Sequence, residues 1–99
     1  MREEGDNMSS RRRITIPKEL LQESDISKAH EQRKKILFLL SEKEIVLEID
    51  TGDWSNKKIL GSSSIDVKGR VSIPLSIRIM PEEMMVYIEN GVIKMRRAL

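Results

Sequence analysis

The stretch DVKGRVSIPLSIR, residues 66–78, has a partner earlier in the chain, SSRRRITIPKELL at residues 9–21. In both stretches an arginine precedes an alternating run rich in β-branched residues, which is followed by Ile-Pro and a short amphipathic segment. The two Ile-Pro pairs lie 57 positions apart in a chain of only 99 residues. Self-similarity at a fixed spacing indicates duplication of a structural unit. We therefore expect a fold made of two similar halves.

The later stretch contains its own turn, strand and helix signals. DVKG, residues 66–69, has Asp first and Gly fourth, the signature of a type I turn. RVSI, residues 70–73, alternates polar and apolar side chains and predicts a half-buried strand. Pro74 suits the first position of a helix, because its missing N–H costs nothing there. We expect that helix over LSIRIM, residues 75–80, with Pro81 ending it.

Two further segments complete this half of the chain. KILGSSSI, residues 58–65, predicts a strand before the turn. MMVYIE at 84–89 and VIKMRR at 92–97 flank Asn90-Gly91, the dipeptide favoured in two-residue hairpin turns. The order predicted for the second half is therefore strand, turn, strand, helix and hairpin.

The first half is predicted to follow the same plan. RITI predicts a strand, the segment after Pro17 predicts a helix, and two later apolar runs predict a hairpin. About ten additional residues predict a second helical stretch, with Ser24 or Asp25 as its N-cap. The predicted ranges are a first strand from 1–8, a strand at 13–16, a helix at 18–23, a helical stretch within 24–34, and hairpin strands at 35–41 and 45–50 joined by EKE.

These ranges divide the chain into an N-terminal half at 1–50, a linker at 51–58 and a C-terminal half at 59–99. Each half has β-β-α-β-β order and about 45 residues, near the size below which one hydrophobic core rarely supports a fold. Two such halves packed around a two-fold axis would close a small barrel and cover their edge strands. The predicted fold is therefore mainly β, a single barrel domain with short helices.

Composition indicates a globular protein whose charge is unevenly distributed. Apolar residues make up 38% and charged residues 34% of the sequence, which argues against intrinsic disorder. The net charge is only +2, but residues 1–50 hold ten basic and eleven acidic side chains, whereas residues 51–99 hold eight and five. The chain has no cysteine, its longest apolar run is ILFLL, and residues 1–10 lack the apolar core of a signal peptide. We therefore expect a cytoplasmic protein without a membrane span.

The later stretch resembles the signature of the AbrB/MraZ/MazE-type swapped-hairpin barrel, the SpoVT-AbrB family of DNA-binding domains. The pattern of that family is Asp-x-x-Gly-Arg, an alternating strand, Ile-Pro, a short helix ending in Arg, and a hairpin. Its landmarks in this chain are Asp66, Gly69, Arg70, Ile73, Pro74, Arg78 and Asn90-Gly91.

The earlier stretch is similar to the same pattern in part. It retains Arg13 and the Ile-Pro pair, but Ser9 and Arg12 stand where the pattern has Asp and Gly, and Leu21 replaces the final Arg. An arginine at a turn position that often requires positive φ indicates a differently built turn. Two copies in one chain imply a swapped-hairpin β-barrel formed as a pseudo-dimer of tandem halves.

The resemblance implies a transcriptional regulator whose partner is double-stranded DNA. In AbrB-like members, basic residues of the strand–turn–strand loop and of the helix end lie on one face and meet DNA there. Arginine forks suit phosphates and guanine edges. Because the halves differ, we expect an asymmetric DNA face. The residues predicted to contact DNA are Arg11, Arg12, Arg13, Lys68, Arg70 and Arg78.

Two other functions remain open for the same barrel. The family resemblance extends to antitoxins, which wrap their toxins with a long tail; here a short internal segment such as 24–34 would have to serve. A scaffold that only self-assembles is the second alternative, and a homo-oligomer such as a dimer of barrels is compatible with each function. Salt-sensitive DNA binding would separate the regulator from the scaffold.

Signals for catalysis or metal binding are weak. Asp50-Thr51-Gly52 follows an apolar strand, as an aspartic-protease loop does, and such chemistry needs two facing carboxylates. The downstream apolar-apolar-Gly element would have to be ILG at 59–61, too close to fold back as a separate layer. His30 has no second His or Cys for a metal site. We therefore predict no catalytic residue, cofactor, metal or small-molecule substrate, and we expect Trp54 to pin the linker to the barrel.

Overall fold

The structure is a computed structural model that describes residues 12–98. The chain is mainly β, as predicted, with few and short helices. The strands are β1 Arg13–Thr15, β2 Ile36–Ser41, β3 Glu44–Ile49, β4 Ile59–Ser63, β5 Arg70–Ser72, β6 Met84–Glu89 and β7 Val92–Arg97. The helices are α1 Lys18–Gln22 and α2 Lys28–Gln32, and a 3₁₀ turn spans Pro81–Glu83.

The strands form two antiparallel sheets. β1 pairs with β5 in a two-stranded ribbon, and the other five strands are ordered β4-β2-β3-β7-β6. Within residues 12–98 neither sheet is closed, and β4 and β6 lie at the edges of the larger sheet. The first strand predicted at 1–8 lies outside the described residues. The mainly β prediction is thus confirmed, while these seven strands by themselves leave both sheets open.

The ribbon has a two-fold register that follows the sequence repeat. Arg13 pairs with Ser72, and Thr15 pairs with Arg70. In the repeat Arg13 corresponds to Arg70 and Thr15 to Ser72, each pair 57 positions apart. Exchanging the two stretches therefore maps the ribbon onto itself.

Hydrogen bonds at the two ends of the ribbon obey the same symmetry. The Ile16 N–H donates to the Gly69 carbonyl at 2.9 Å, and the Ile73 N–H donates to the Arg12 carbonyl at 2.8 Å. Ile73 and Gly69 are the repeat counterparts of Ile16 and Arg12. The two turns that flank the ribbon are therefore held in equivalent places despite their different residues.

The larger sheet is symmetric about the contact between its two hairpins. In β3 and β7, Ile45 lies opposite Met95 and Leu47 lies opposite Ile93. Counterparts in the two hairpins are 48 positions apart, so this register also maps onto itself. Three of the five strand pairs, β1–β5, β2–β4 and β3–β7, join the chain before the linker to the chain after it.

Both predicted hairpins are present. β6 and β7 are joined by Asn90 and Gly91 with φ of 53° and 78°, which is the conformation of a type I′ turn. β2 and β3 are joined by Glu42 and Lys43, one residue fewer than the predicted EKE turn, and Glu42 has a φ of 57°. The helices predicted near 18–23 and within 24–34 are confirmed as α1 and α2.

The helix predicted at 75–80 is wrong. The segment forms only one turn, in which the Ile77 N–H donates to the Pro74 carbonyl at 3.0 Å. In an α-helix the Ile77 carbonyl would accept from residue 81, but Pro81 has no N–H. The Arg12 guanidinium donates to that carbonyl instead. In the other half α1 contains no proline after its first turn, and it forms.

The hydrophobic core joins the inner face of the ribbon to one face of the larger sheet. Val71 from the ribbon, Phe38 from β2 and Ala29 from α2 are fully buried in the same cluster. The remaining buried members are Ile16, Ile26, Ile36, Ile45, Leu47, Ile65, Ile73, Ile77, Ile93 and Met95. Both halves therefore contribute to one core.

The middle of β4 packs closely against the Ile-Pro segment of the second half. A Cβ at Gly61 would lie 2.5 Å from the Pro74 Cβ and 2.7 Å from its Cγ. Ser76 donates a hydrogen bond to the Leu60 carbonyl beside this contact. A glycine inside a strand often marks such a close approach. This contact holds the segment that follows β5 against the edge of the larger sheet.

Candidate nucleic-acid interface

The ribbon has one face toward the core and one toward solvent. Its central pair, Ile14 and Val71, packs on the core side, where Val71 is fully buried. Successive strand residues point to opposite faces, so the flanking pairs point away from the core. The outer face of the ribbon carries Arg13, Thr15, Arg70 and Ser72.

The turn at one end of the ribbon is organised by Asp66. Its Oδ1 accepts hydrogen bonds from the Lys68 and Arg70 N–H groups, each at 2.9 Å, and its Oδ2 accepts from Arg70 Nε at 2.6 Å. The Gly69 N–H donates to the Asp66 carbonyl at 3.0 Å, and Gly69 has a φ of 82°. The type I turn expected from DVKG is therefore present, and its Asp has a structural role.

Arg70 retains donors for a further partner. Its ion pair with Asp66 uses Nε, and its four remaining N–H groups make no hydrogen bond within residues 12–98. The Arg70 side chain is 40% exposed. Asp66 therefore fixes the direction of the guanidinium while leaving its outer edge accessible.

The same contacts keep Asp66 ionised. The backbone N–H of Arg70, followed by the Arg70 side chain and the Lys68 N–H, holds the pKa of Asp66 below its ordinary value of 3.8. A carboxyl whose pKa is lowered in the folded state adds stability above its unfolded pKa. That contribution is lost as the pH falls through the folded pKa. The stabilisation that ionised Asp66 gives to the turn is therefore lost only below about pH 4.

Asp66→Asn should remove this acid dependence. We expect the variant to unfold at lower urea than the wild type at neutral pH, because the charged acceptor is lost. The difference in the free energy of unfolding between the two proteins should stay constant above about pH 5 and become smaller below about pH 4. Urea unfolding of both proteins across this range measures it. A difference that does not change with pH would show that Asp66 does not titrate as argued.

Arg12 occupies the position equivalent to Gly69 but lies inward. It is half-buried, its Nη2 donates to the Ile77 carbonyl, and its Nε is buried without a hydrogen-bond partner among residues 12–98. In the other half, a Cβ at Gly69 would meet Leu21 Cδ1 at 2.6 Å. The two turns thus differ because one packs tightly on Leu21 whereas the other inserts an arginine beneath the Pro74–Ile77 turn.

The structure separates the remaining predicted residues. Arg13 is exposed on the outer face of the ribbon. Lys68 is exposed in the Asp66 turn, at the end of the ribbon. Among the described residues neither has an acidic side chain within ion-pair distance. Arg78 is exposed but lines a groove with Arg96 and Arg97 rather than the ribbon. Arg11 lies outside the described residues.

Sequence reasoning missed two kinds of residue. Thr15 and Ser72 share the outer face with the ribbon arginines, and the two-residue period of RITI and RVSI was the signal that could have identified them. Lys43 lines the groove beside Arg78. No local pattern indicates that cluster, because its members come from the β2–β3 turn, the segment after β5, and β7.

The weaker sequence signals have structural explanations. His30 Nδ1 lies 3.3 Å from the Ile65 carbonyl. Asp50 Oδ1 accepts hydrogen bonds from the Gly52 N–H and from Trp54 Nε1, each at 2.9 Å. Trp54 is 57% exposed and its indole bonds to Asp50, just before the linker, which does not support the prediction that it pins the linker to the barrel.

The described part of the chain contains no metal-binding cluster and no membrane-spanning helix. Residues 12–98 contain no group of three His, Cys, Asp or Glu side chains that could hold a metal ion. No helix in the same range is long and apolar enough to cross a membrane. Comparison of the chain with protein-family models, with curated proteins and with solved structures found no match.

Proposed function

We propose that this chain is a DNA-binding transcriptional regulator that reads duplex DNA with the outer face of its β1–β5 ribbon. The observation that carries the proposal is the pairing of Arg13 with Ser72 and of Thr15 with Arg70 on one solvent-facing surface. A two-stranded ribbon fits the major groove. Arginine can contact guanine or phosphate there, and Ser and Thr hydroxyls can contact any base edge.

The two-fold register of the ribbon suits a duplex. Arg13 and Arg70 are symmetry counterparts, so a ribbon lying in the groove would direct one arginine to each side of its centre. Protein two-fold symmetry is commonly mirrored in the DNA site. Lys68, at the end of the ribbon, is positioned for a phosphate, whose neutralisation adds about 0.9 to the salt slope. The proposed regulator acts by binding alone and carries out no reaction.

The halves contribute unequally in this proposal. The Asp66 turn presents Lys68 and orients Arg70. The equivalent position in the first half directs Arg12 inward, so Arg12 supports the surface rather than contacting DNA. We therefore propose an asymmetric site in which Arg13, Lys68 and Arg70 make the main contacts and Arg78 contributes from its margin, while Arg11 stays a predicted contact.

We further propose that the whole chain is a swapped-hairpin barrel of two tandem halves. The exchange of β1–β5, β2–β4 and β3–β7 pairs between the two halves supports this architecture.

A fluorescence titration against AT-rich and random duplexes between about 50 and 300 mM salt tests the DNA-binding function. We expect Arg70→Ala to weaken binding about 10-fold and to lower the salt slope by about one. Arg97→Ala is the matched control, because Arg97 lies in the groove and pairs with Glu83 at 3.5 Å. Equal effects of the two substitutions would show that Arg70 does not contact DNA. Absence of binding at low salt would refute the regulator function.

A further inference from the structure

A groove with a basic rim lies at the end of the larger sheet where β2 turns into β3. Its floor is apolar and includes Leu40 and Ile79, and its volume is about 260 Å³. Four cations line it, and no acidic side chain does so among the described residues. We call this the basic groove. Its cations are Lys43, Arg78, Arg96 and Arg97.

The charge of the basic groove is not a general consequence of the fold. The sheet symmetry relates it to a second groove at the opposite end, which is lined by Leu47 and Ile93. That groove contains two lysines together with Asp25 and Glu48, so its charges balance. Arg97 pairs with Glu83, but the other three cations have no ion pair among the described residues, so the basic groove keeps a positive charge that its counterpart lacks. This charge indicates an acidic partner.

An acidic loop carrying an exposed aromatic side chain lies in the linker of the same chain. We call residues 50–54 the tryptophan loop. The bond from Trp54 Nε1 to Asp50 holds the indole in place and lowers the pKa of Asp50, and hydrogen bonds from Ser55 lower the pKa of Asp53. With both carboxylates charged and Trp54 57% exposed, the loop presents an apolar anchor between negative charges.

We propose that the tryptophan loop of one chain inserts Trp54 into the basic groove of a second copy of this chain. The indole would cover the apolar floor at Leu40, while Asp50 and Asp53 would meet the rim cations. The groove is smaller than the range of about 300–1,000 Å³ typical of small-molecule sites, which suits a single anchoring side chain. This proposal goes beyond DNA binding and does not depend on it.

The positions of the two surfaces allow reciprocal insertion. The Leu40 N–H donates to the Lys58 carbonyl at 2.9 Å, so the groove begins beside the residues that follow the loop. Two chains related by a two-fold axis can therefore exchange loops at the same time, which closes the assembly as a dimer. A non-reciprocal contact would instead leave surfaces for further chains.

The association should be weak and sensitive to salt. Two buried indoles contribute about 150–250 Å² each, well below the roughly 1,000 Å² of a stable interface. We therefore expect a dissociation constant of about 10–100 µM. Because the rim contacts are ionic, raising the salt concentration should weaken the dimer further.

Trp54 is the only tryptophan of the chain, so its emission reports directly on insertion. Emission spectra and sedimentation equilibrium of the full chain from about 5 to 500 µM should show a blue shift together with a mass approaching twice that of one chain. Trp54→Ala should remain monomeric. Lys43→Glu, at the groove rim, should weaken dimerisation at least about 10-fold, whereas Lys28→Glu in the opposite groove should not.

Three results would overturn the proposal. A monomeric mass with unshifted emission at the highest concentration would show that no dimer forms. A blue shift independent of concentration, with monomeric mass, would mean that the loop enters the groove of its own chain. A dimer that survives Trp54→Ala and Lys43→Glu would use another surface. None of these results depends on DNA, so failure of the proposed regulator would remain distinguishable.

Discussion

Replacing both ribbon arginines by alanine, Arg13→Ala with Arg70→Ala, should weaken binding to duplex DNA by about 100-fold or more. Each arginine that contacts a base edge or phosphate contributes about 1–3 kcal/mol, and the two lie in different cross-strand pairs of one surface. Loss of two phosphate-neutralising charges should also lower the salt slope by about two. The loss should exceed that of either single substitution, because the two arginines act on opposite sides of the ribbon centre.

A charge-matched control distinguishes the ribbon from the protein surface in general. Lys35→Ala with Arg97→Ala removes two positive charges from exposed positions outside the ribbon. We expect that variant to retain its affinity within about threefold and most of its salt slope. Thermal unfolding of both double variants checks that each remains folded. If the two variants lost affinity equally, net charge alone would explain binding, and the ribbon would have no special role.

Phe38→Ala should cause the largest loss of stability of any single substitution considered for this chain. Phe38 is fully buried in the core, and its strand β2 lies between β3 and β4, opposite Leu47 and Gly61. Removing such a side chain costs about 3–5 kcal/mol, out of about 5–15 kcal/mol for a typical domain. For a domain of about 100 residues, this lowers the unfolding temperature by at least about 12 °C.

Leu40→Ala on the same strand is the control for the Phe38 prediction. Leu40 is 41% exposed, so its truncation should cost no more than about 1 kcal/mol. Urea unfolding curves of the two variants and the wild type provide the comparison. Equal losses would mean that β2 lies near the surface along its whole length and that the core is not centred on Phe38.

Much of the fold could be predicted because its signals are local. Asn90-Gly91 needs only its own backbone preference to form a type I′ turn, and Asp66 closes its turn with groups no more than four residues away. The alternation in RITI and RVSI likewise determines which side chains face the core. These features depend on neighbours in sequence, which a single sequence displays.

One failure of prediction comes from a contact between distant segments, and another comes from a short-range contact within the linker region. The helix at 75–80 was expected from Pro74 and the apolar spacing, but Pro81 removes one donor and Arg12, 65 positions before Ile77, supplies another. Trp54 was expected to pin the linker to the barrel, yet its indole bonds to Asp50 and remains 57% exposed. No local pattern indicates the Arg12 contact, whereas the Asp50–Trp54 contact spans only four residues.

The candidate site was predictable only in part for the same reason. The sequence repeat identified Arg13 and Arg70 as counterparts, and the strand register places them together on the outer face. Arg12, their neighbour in sequence, has the same charge but points inward, where its guanidinium donates to the Ile77 carbonyl. Residue type therefore identified the cluster, whereas backbone conformation decided which members are accessible.

The strand pairs that join the two halves have a consequence for how the protein responds to dilution. In a protein assembled from two separate chains, such pairs would break as the concentration fell. Here the linker holds the halves at an effective concentration in the millimolar range, so the pairing is independent of how much protein is present. Because the two halves belong to one chain, their sequences can differ. An arginine at one turn can therefore coexist with a glycine at the other, a combination that identical subunits could never contain.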